Sequence, residues 1–494
     1  MRLSELGLAE PGADREVAGL ASDSRAVRPG DLFFAIKGAR YDGHAFVEEA
    51  FRRGAVAAVV EREVASSGRL IRVADARRAL AQAARRFYGR PDCRLRLLGV
   101  TGSIGKTTIA LLARNLLCAA GRRSGLIGSL GIDSGGGLKP SGFTTPEALV
   151  IQRELAAMVA AGATHAVMEV SSHALALHRV WGARFAGGVL TELVPHEHLD
   201  FHGSFSNYLA VKRSFLDLIV PGGTIVYWAD DPHALSLVQD AGHLVPIGVG
   251  FERGAIRVTE LSLSTQRSAF ALVAGAPAAA GFPLRMELST RLLGRAHVKN
   301  IALAVALALS EGVEPAAVQA VVEAQPPVRR RMEGYTLGEL AVIDDTVGNP
   351  QAIQNCFEVV SAAGAERPVV IYAVRGRRGE QINRENGEAL GRCLSALGWR
   401  SLIVTASRDV ADAANQPTEG EVEAVMAGLR SAGAPAVLVP ELEGALKAAL
   451  GRRPDLLLLL GAQGMDAGLP LLERLCTRDA VHWHERPAMG RASL

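Results

Sequence analysis

Short apolar runs recur along the chain and alternate with stretches of helical spacing. Asp31–Gly38 reads as a strand closed by a glycine, and helical spacing follows over His44–Arg53. A strand at Ala55–Val60 comes next, then a helix over Arg77–Tyr88 that Gly89-Arg90-Pro91 ends. The apolar run Leu95–Val100 leads into a glycine-containing loop and a helix over Thr107–Ala119. Strand-like runs at Ala166–Val170, Gly188–Leu190 and Thr224–Tyr227, separated by helical stretches, predict a mostly parallel sheet with helices on both faces. Between Ile256 and Leu288 the pattern turns to short alternating strands, which predicts an antiparallel appendage. Beyond Gln325-Pro326-Pro327, runs at Leu340–Ile343, Val369–Ala373, Ser401–Thr405, Ala436–Val439 and Leu456–Leu460 predict five buried strands of a second α/β unit.

The fold class is therefore α/β with three domains, as 494 residues would suggest. A small N-terminal α/β domain covers 1–92, a central parallel-sheet domain 93–325, and a Rossmann-like α/β domain 326–494. Aromatic residues make up only 5% of the chain, so the cores must be built from Ala, Val and Leu. A net charge of +3, from 54 basic and 51 acidic residues, provides no general field for nucleic acid or anionic lipid. The five cysteines are far apart and form no Cys-x-x-Cys pair, which fits a reducing compartment and argues against a zinc or redox motif. Met1–Ala18 lacks the pattern of a signal peptide, and no apolar run approaches a membrane span. A cytoplasmic monomer with no nucleic-acid or membrane partner is expected.

The segment Thr101-Gly102-Ser103-Ile104-Gly105-Lys106-Thr107-Thr108 lies between a strand and a helix, the setting a phosphate loop needs. Glycines let backbone N–H groups turn toward phosphate oxygens, and the helix N-terminus adds partial positive charge. Lys106 can reach the β- and γ-phosphates, and the Thr107 hydroxyl can ligate Mg²⁺. A glycine turn with a capping threonine is the bland alternative. It leaves unexplained a lysine at a helix start, where a cation is unfavourable unless an anion is bound.

Longer motifs carry a resemblance. Asp23-Ser24-Arg25, Pro29–Gly38, Asp42-Gly43-His44, Thr144-Thr145-Pro146-Glu147, Met168–His173, Glu197–Gly203, Tyr208–Lys212 and Gly294–Asn300 together resemble the Mur ligase family, most of all its MurE type. The resemblance implies ATP and Mg²⁺ as cofactors, and a UDP-linked sugar peptide and an amino acid or amine as partners. The first domain would bind the UDP end, with Ser24 among its contacts. His44 taken alone reads as a surface or capping residue. Thr144, Thr145, Ser171 and Arg179 would contact the peptide, although Thr145 could instead cap a helix starting at Pro146, and Arg179 could form a structural ion pair. Glu169 and His198 would hold Mg²⁺ with Thr107, supported by Asp200. Lys212 would join them as a carbamate, since a bare ammonium beside Mg²⁺ is repelled; an exposed helix lysine is the alternative. Asn300 would contact the adenine, with Arg331 and Asp345 as further nucleotide contacts. Lys106, Glu169, His198 and Lys212 are then the catalytic set.

The departures from the family pattern are as informative. Ser103-Ile104 replaces the usual Thr-Asn, and Thr191-Glu192-Leu193 replaces Thr-Asn-Leu, with one extra residue near Pro195. Trp228 stands in for the asparagine of Asn-Ala-Asp-Asp-Pro. Asp344-Asp345-Thr346 is closer to MurF-type ligases. The Asp-Asn-Pro-Arg motif that selects diaminopimelate reads Ala406-Ser407-Arg408-Asp409. Arg375, Arg377 and Arg378 are basic candidates for a carboxylate or phosphate, with a solvated loop as the alternative. The expected activity is ATP-dependent amide-bond formation through an acyl phosphate, adding an amino acid to a UDP-N-acetylmuramoyl peptide for peptidoglycan. Two alternatives stand beside it: a Mur-like ligase of another biosynthetic pathway, and a Mur-derived nucleotide-binding protein without ligase activity.

Overall fold

The computed structural model describes residues 1–8, 14–38, 41–195, 197–264, 267–275, 282–327, 329–361, 364–413 and 415–478. The chain forms two compact units. One comprises Met1–Thr259, Ala271–Glu287 and Lys299–Val322; the other comprises Glu260–Phe270, Leu288–Val298 and the chain from Glu323 on.

The N-terminal sheet has four parallel strands in sequence order: β1 (Gly19–Ala21), β2 (Asp31–Phe34), β3 (Ala57–Val60) and β4 (Leu70–Arg72). β2 and β3 are buried at every position, which explains why they are apolar throughout apart from Asp31 at the start of β2. The helix predicted over His44–Arg53 is a short 3-10 turn, Gly43–Phe46, followed by an α-helix, Val47–Arg52.

A sheet of eleven strands follows: β5 (Arg96–Thr101), β6 (Ser124–Gly128), β7 (Gly131–Asp133), β8 (Leu138–Lys139), β9 (His165–Glu169), β10 (Phe185–Leu190), β11 (Ile219–Trp228), β12 (Val245–Gly250), β13 (Ile256–Leu263), β14 (Ser268–Ala274) and β15 (Arg285–Thr290). Its order is β15-β14-β13-β12-β11-β10-β5-β9-β6-β7-β8. The pairings from β6 through β9, β5, β10, β11 and β12 to β13 are parallel. The expected appendage at Ile256–Leu288 is thus not separate, because β13 continues the sheet by pairing in parallel with β12. The hairpin strands β6–β8 were not anticipated; β7 and β8 are too short to show a period. The core beneath this sheet joins Leu97, Met168, Phe185, Phe215 and Ile225.

The second unit carries a six-stranded sheet of β16 (Glu333–Leu337), β17 (Leu340–Asp345), β18 (Pro368–Ala373), β19 (Leu402–Thr405), β20 (Val437–Leu438) and β21 (Leu456–Gly461), in the order β16-β17-β21-β18-β19-β20. All pairings are parallel except β16–β17, a tight hairpin turning at Gly338. Two corrections to the five buried strands follow. β16 adds a sixth, half-exposed strand, and β20 is an exposed edge, with Val437 at 50%. The placement of β21 between β17 and β18 makes the doubly wound arrangement of this unit.

Candidate functional site

The site grows from the carboxyl ends of the parallel strands β5, β9 and β10, where an open α/β sheet positions ligands. β5 runs straight into the loop Gly102–Gly105, and the helix Lys106–Ala119 follows. Two glycines are required there. Gly102 has φ +136°, and a Cβ on it would lie 1.9 Å from Thr191 Oγ1. Gly105 has φ +90°, and its Cβ would meet Asn300 Oδ1 at 2.2 Å. Lys106 Nζ donates to the Gly102 and Ser103 carbonyls at 2.9 and 2.8 Å. Ser103 Oγ bonds Tyr208 Oη at 2.7 Å and accepts from Val194 N at 2.8 Å. The Ile104 carbonyl accepts from Thr191 Oγ1 at 2.7 Å. Thr108 is buried against the sheet.

Glu169 ends β9 and is 2% exposed. Its carboxylate accepts from Thr107 Oγ1 at 3.0 Å, Ser129 N at 2.7 Å and Ser129 Oγ at 3.3 Å. Burial raises its pKa, against the lowering effect of the Ser129 amide and Lys106. Ser129 follows the unanticipated strand β6 and also donates to Thr144 Oγ1 at 2.9 Å. Sequence reasoning missed it because nothing marked β6.

Thr145 does not cap a helix. The helix is Ala148–Ala160 and its N-cap is Glu147. Instead, Thr145 Oγ1 donates to the Glu169 carbonyl at 2.8 Å and accepts from Ser171 N at 3.0 Å. Arg179 donates to the Thr145 carbonyl at 2.8 Å, pairs with Glu147 at 2.6 Å and lies over the Phe143 ring. Thr144, Thr145, Ser171, Arg179 and Glu169 therefore form one connected cluster.

Lys212 is fully enclosed rather than an exposed helix lysine. Its Nζ donates to Thr101 Oγ1 and the Gly102 carbonyl, both at 3.0 Å. Burial, reinforced by Lys106, pushes its pKa well below the usual lysine value. His198 adopts φ +55° ahead of the short helix Leu199–His202, contacts Glu197 Oε1 at 3.1 Å and meets the His173 ring edge-on. The Asp200 side chain lies outside the described residues. Among the described residues, no group of three or more His, Cys, Asp or Glu side chains forms a metal-binding cluster.

Other expected residues sit apart. Ser24 Oγ donates to Glu49 at 3.0 Å in the N-terminal sheet region. His44 is buried, against the surface reading; it bonds Asp42 Oδ1 at 2.6 Å and accepts the Glu61 amide at 3.0 Å. In the second unit, Asp345 accepts from Met332 N at 3.1 Å. Burial raises its pKa to about 6, opposed by Arg331. Asn300 Oδ1 is buried without a hydrogen-bond partner beside Gly105.

A glycine loop between strand and helix, a lysine and threonine at the helix start, and a buried carboxylate reaching that threonine define a nucleotide-binding α/β protein of the phosphate-loop class. Within that class, the chain belongs to the Mur ligase family. Residues 100–308 match the Mur ligase middle domain, and residues 16–88 match the family described as "Mur ligase family, catalytic domain". The "UDP-N-acetylmuramoyl-L-alanyl-D-glutamate--2,6-diaminopimelate ligase" of Aquifex aeolicus is 32% identical, over 84% of this chain and 82% of its own length. The protein of the same name from Geobacillus thermodenitrificans is 31% identical over 91% and 90%. Among solved structures, a ligase of that name superposes with a TM-score of 0.70 at 21% identity, covering 98% of this chain and 99% of its own. MurF of Thermotoga maritima in complex with ADP gives 0.64 at 21%, covering 93% and 98%; at such identities the likeness is one of fold.

Proposed function

We propose that the chain joins an amino acid to a UDP-N-acetylmuramoyl peptide with conversion of ATP to ADP. The acceptor carboxylate attacks the γ-phosphorus and ADP leaves, giving an acyl phosphate. The amine then adds to the acyl carbon, and the tetrahedral intermediate expels phosphate. The observation that carries this reading is the hydrogen bond between Thr107 of the phosphate loop and Glu169, whose strand end also holds Thr145 and Ser171. Phosphate recognition and the expected peptide contacts thus meet on one carboxylate.

Thr107 and Glu169 offer hard oxygen donors 3.0 Å apart at the loop, a set that fits Mg²⁺. The buried Glu169 carboxylate also gains a reason to stay ionised. Mg²⁺ held by Thr107, Glu169, His198 and a carbamylated Lys212 would neutralise charge on the transferring phosphoryl group. Lys106 adds its own charge to the β- and γ-phosphates once it exchanges loop carbonyls for phosphate oxygens. Burial lowers the pKa of Lys212 and so favours its neutral amine, the form that reacts with CO₂. Arg179 would meet an anionic group of the peptide.

The test supplies the purified chain with ATP, Mg²⁺, a UDP-N-acetylmuramoyl dipeptide and a panel of amino acids. ADP release that requires both acceptor and amine, with the amide product seen by mass spectrometry, is expected. ADP release indifferent to every acceptor and amine would sink the proposal.

A second reading concerns the amine. Asp409, in the segment where the family carries its diaminopimelate motif, accepts the Leu442 and Glu443 amides at 2.8 and 3.0 Å and is thereby committed to a helix start. An amine other than diaminopimelate is favoured by that engagement.

A further inference from the structure

Two positions at which the sequence departs from the Mur pattern, Glu192 and Trp228, come together around one lysine. Lys299 Nζ contacts Glu192 Oε1 in an ion pair and lies 5.9 Å from the Trp228 ring centroid. Both Lys299 and Trp228 are nearly inaccessible, at 5% and 6% exposure. The two partners of the pair belong to segments that grip the phosphate loop from different elements. Glu192 follows β10; its carbonyl accepts the Ser103 amide at 2.8 Å, and its neighbour Thr191 holds the Ile104 carbonyl. Lys299 lies in the helix Arg295–Ser310, and its neighbour Asn300 backs Gly105. The ion pair ties these two supports together beside the loop that meets a polyanion.

A buried ion pair contributes little net stability compared with apolar side chains of similar volume, whereas removing one partner leaves an uncompensated charge. Here Lys299 is buried and the Glu192 side chain is 22% exposed, so the charge left beside the phosphate loop has a sign that depends on the partner removed. We infer that Lys299 and Glu192 are positioning residues for the nucleotide: they lock the two supports of the phosphate loop together while cancelling each other's charge there. The inference rests on the reading that the loop binds a nucleoside triphosphate or its diphosphate product.

The experiment titrates Mg-ADP into the full chain by calorimetry and records the melting temperature of each variant. Lys299→Met leaves Glu192 bare, and Kd rises about tenfold, because a lone negative charge beside the loop repels the nucleotide's phosphates. Glu192→Gln leaves Lys299 bare, and Kd falls several-fold even though the melting temperature also drops. The double variant Lys299→Met/Glu192→Gln returns Kd to within about threefold of wild type, and Lys299→Arg stays there throughout. Single variants that both weaken binding in step with their loss of melting temperature overturn the inference, because a purely structural pair behaves that way. Should a single variant not fold, the double variant and Lys299→Arg decide, and a double variant weakened tenfold or more overturns it. A wild-type chain that binds no Mg-ADP is a different failure, which sinks the nucleotide reading and the inference with it.

Discussion

Gly102 illustrates how one atom decides the site. With φ at +136° and Thr191 Oγ1 within 1.9 Å of where a Cβ would stand, alanine requires the loop or the end of β10 to move. Gly102→Ala is expected to weaken Mg-ADP binding by at least tenfold in a titration, with a smaller loss of melting temperature than a core truncation gives. Binding within twofold of wild type would show that the loop yields at this point. Asp345 makes a prediction in pH. Its carboxyl is raised to about 6 in the folded chain, against an unfolded value of 3.8. Between those values the folded state keeps a proton that the unfolded state has lost, so its stabilising contribution is complete below about pH 4 and is lost as pH rises through 6. The difference is worth about 3 kcal/mol. Urea unfolding from pH 4 to 7 checks it: Asp345→Asn should make this downward slope shallower, the remainder belonging to Asp344, whose carboxyl burial also raises to about 6. An unchanged slope in the variant would refute the assignment. At this scale the sequence was legible wherever a residue's chemistry is unusual for its place, as with Lys106 at a helix start. It was illegible for His44 and Thr145, because whether a polar side chain is buried depends on neighbours distant in sequence.

The elements divide in the same way. β5, β9, β17, β18 and β21 are buried over nearly their whole length, so each shows an uninterrupted apolar run that can be read directly. β7, β8 and β16 are short or half-exposed, and their neighbours rather than their composition make them strands. One side chain does much to hold the second unit's sheet to its entry segment. Arg330, at φ +56°, bonds Asp344 of β17 at 3.0 Å, the Ala462 carbonyl at 2.9 Å and the Gly461 carbonyl at 2.5 Å, and also contacts Asp466. It thereby satisfies the carbonyls where β21 ends, which a continuing strand would otherwise do. Arg330→Met is expected to cost about 3–5 kcal/mol in urea unfolding of this unit, since Asp344 stays buried without its cation. The pair Arg330→Met/Asp344→Asn should recover part of that loss. If the double variant is no more stable than the single, the carbonyl bonds rather than the charge pair carry the effect.

On the scale of the whole molecule, the two halves of the family pattern have fared differently, and the amine is where this becomes measurable. Around Glu169, the expected residues Thr107, Thr145 and Ser171 are joined through hydrogen bonds of 2.8–3.0 Å. In the second unit, the residues after β19 are occupied by the fold itself. Ser407 is fully buried at φ +52°, the Arg408 amide donates to the Pro440 carbonyl at 3.1 Å, and Asp409 holds the start of the helix Leu442–Leu450. A site built to hydrogen-bond a charged substrate group rejects analogues strongly, and a site that has lost those groups gives up the corresponding preference. Diaminopimelate has a second amino acid head at the far end of its chain, and binding it well needs both an acceptor and a donor there. With Asp409 already committed, that end would be desolvated without full compensation. The expected outcome in the amine panel is that diaminopimelate supports amide formation at a kcat/KM at least tenfold below the best amine, with ADP release tracking product in every case. Diaminopimelate as the best substrate would show instead that other residues of the second unit, Arg375, Arg377 and Arg378 first among them, have taken over the task.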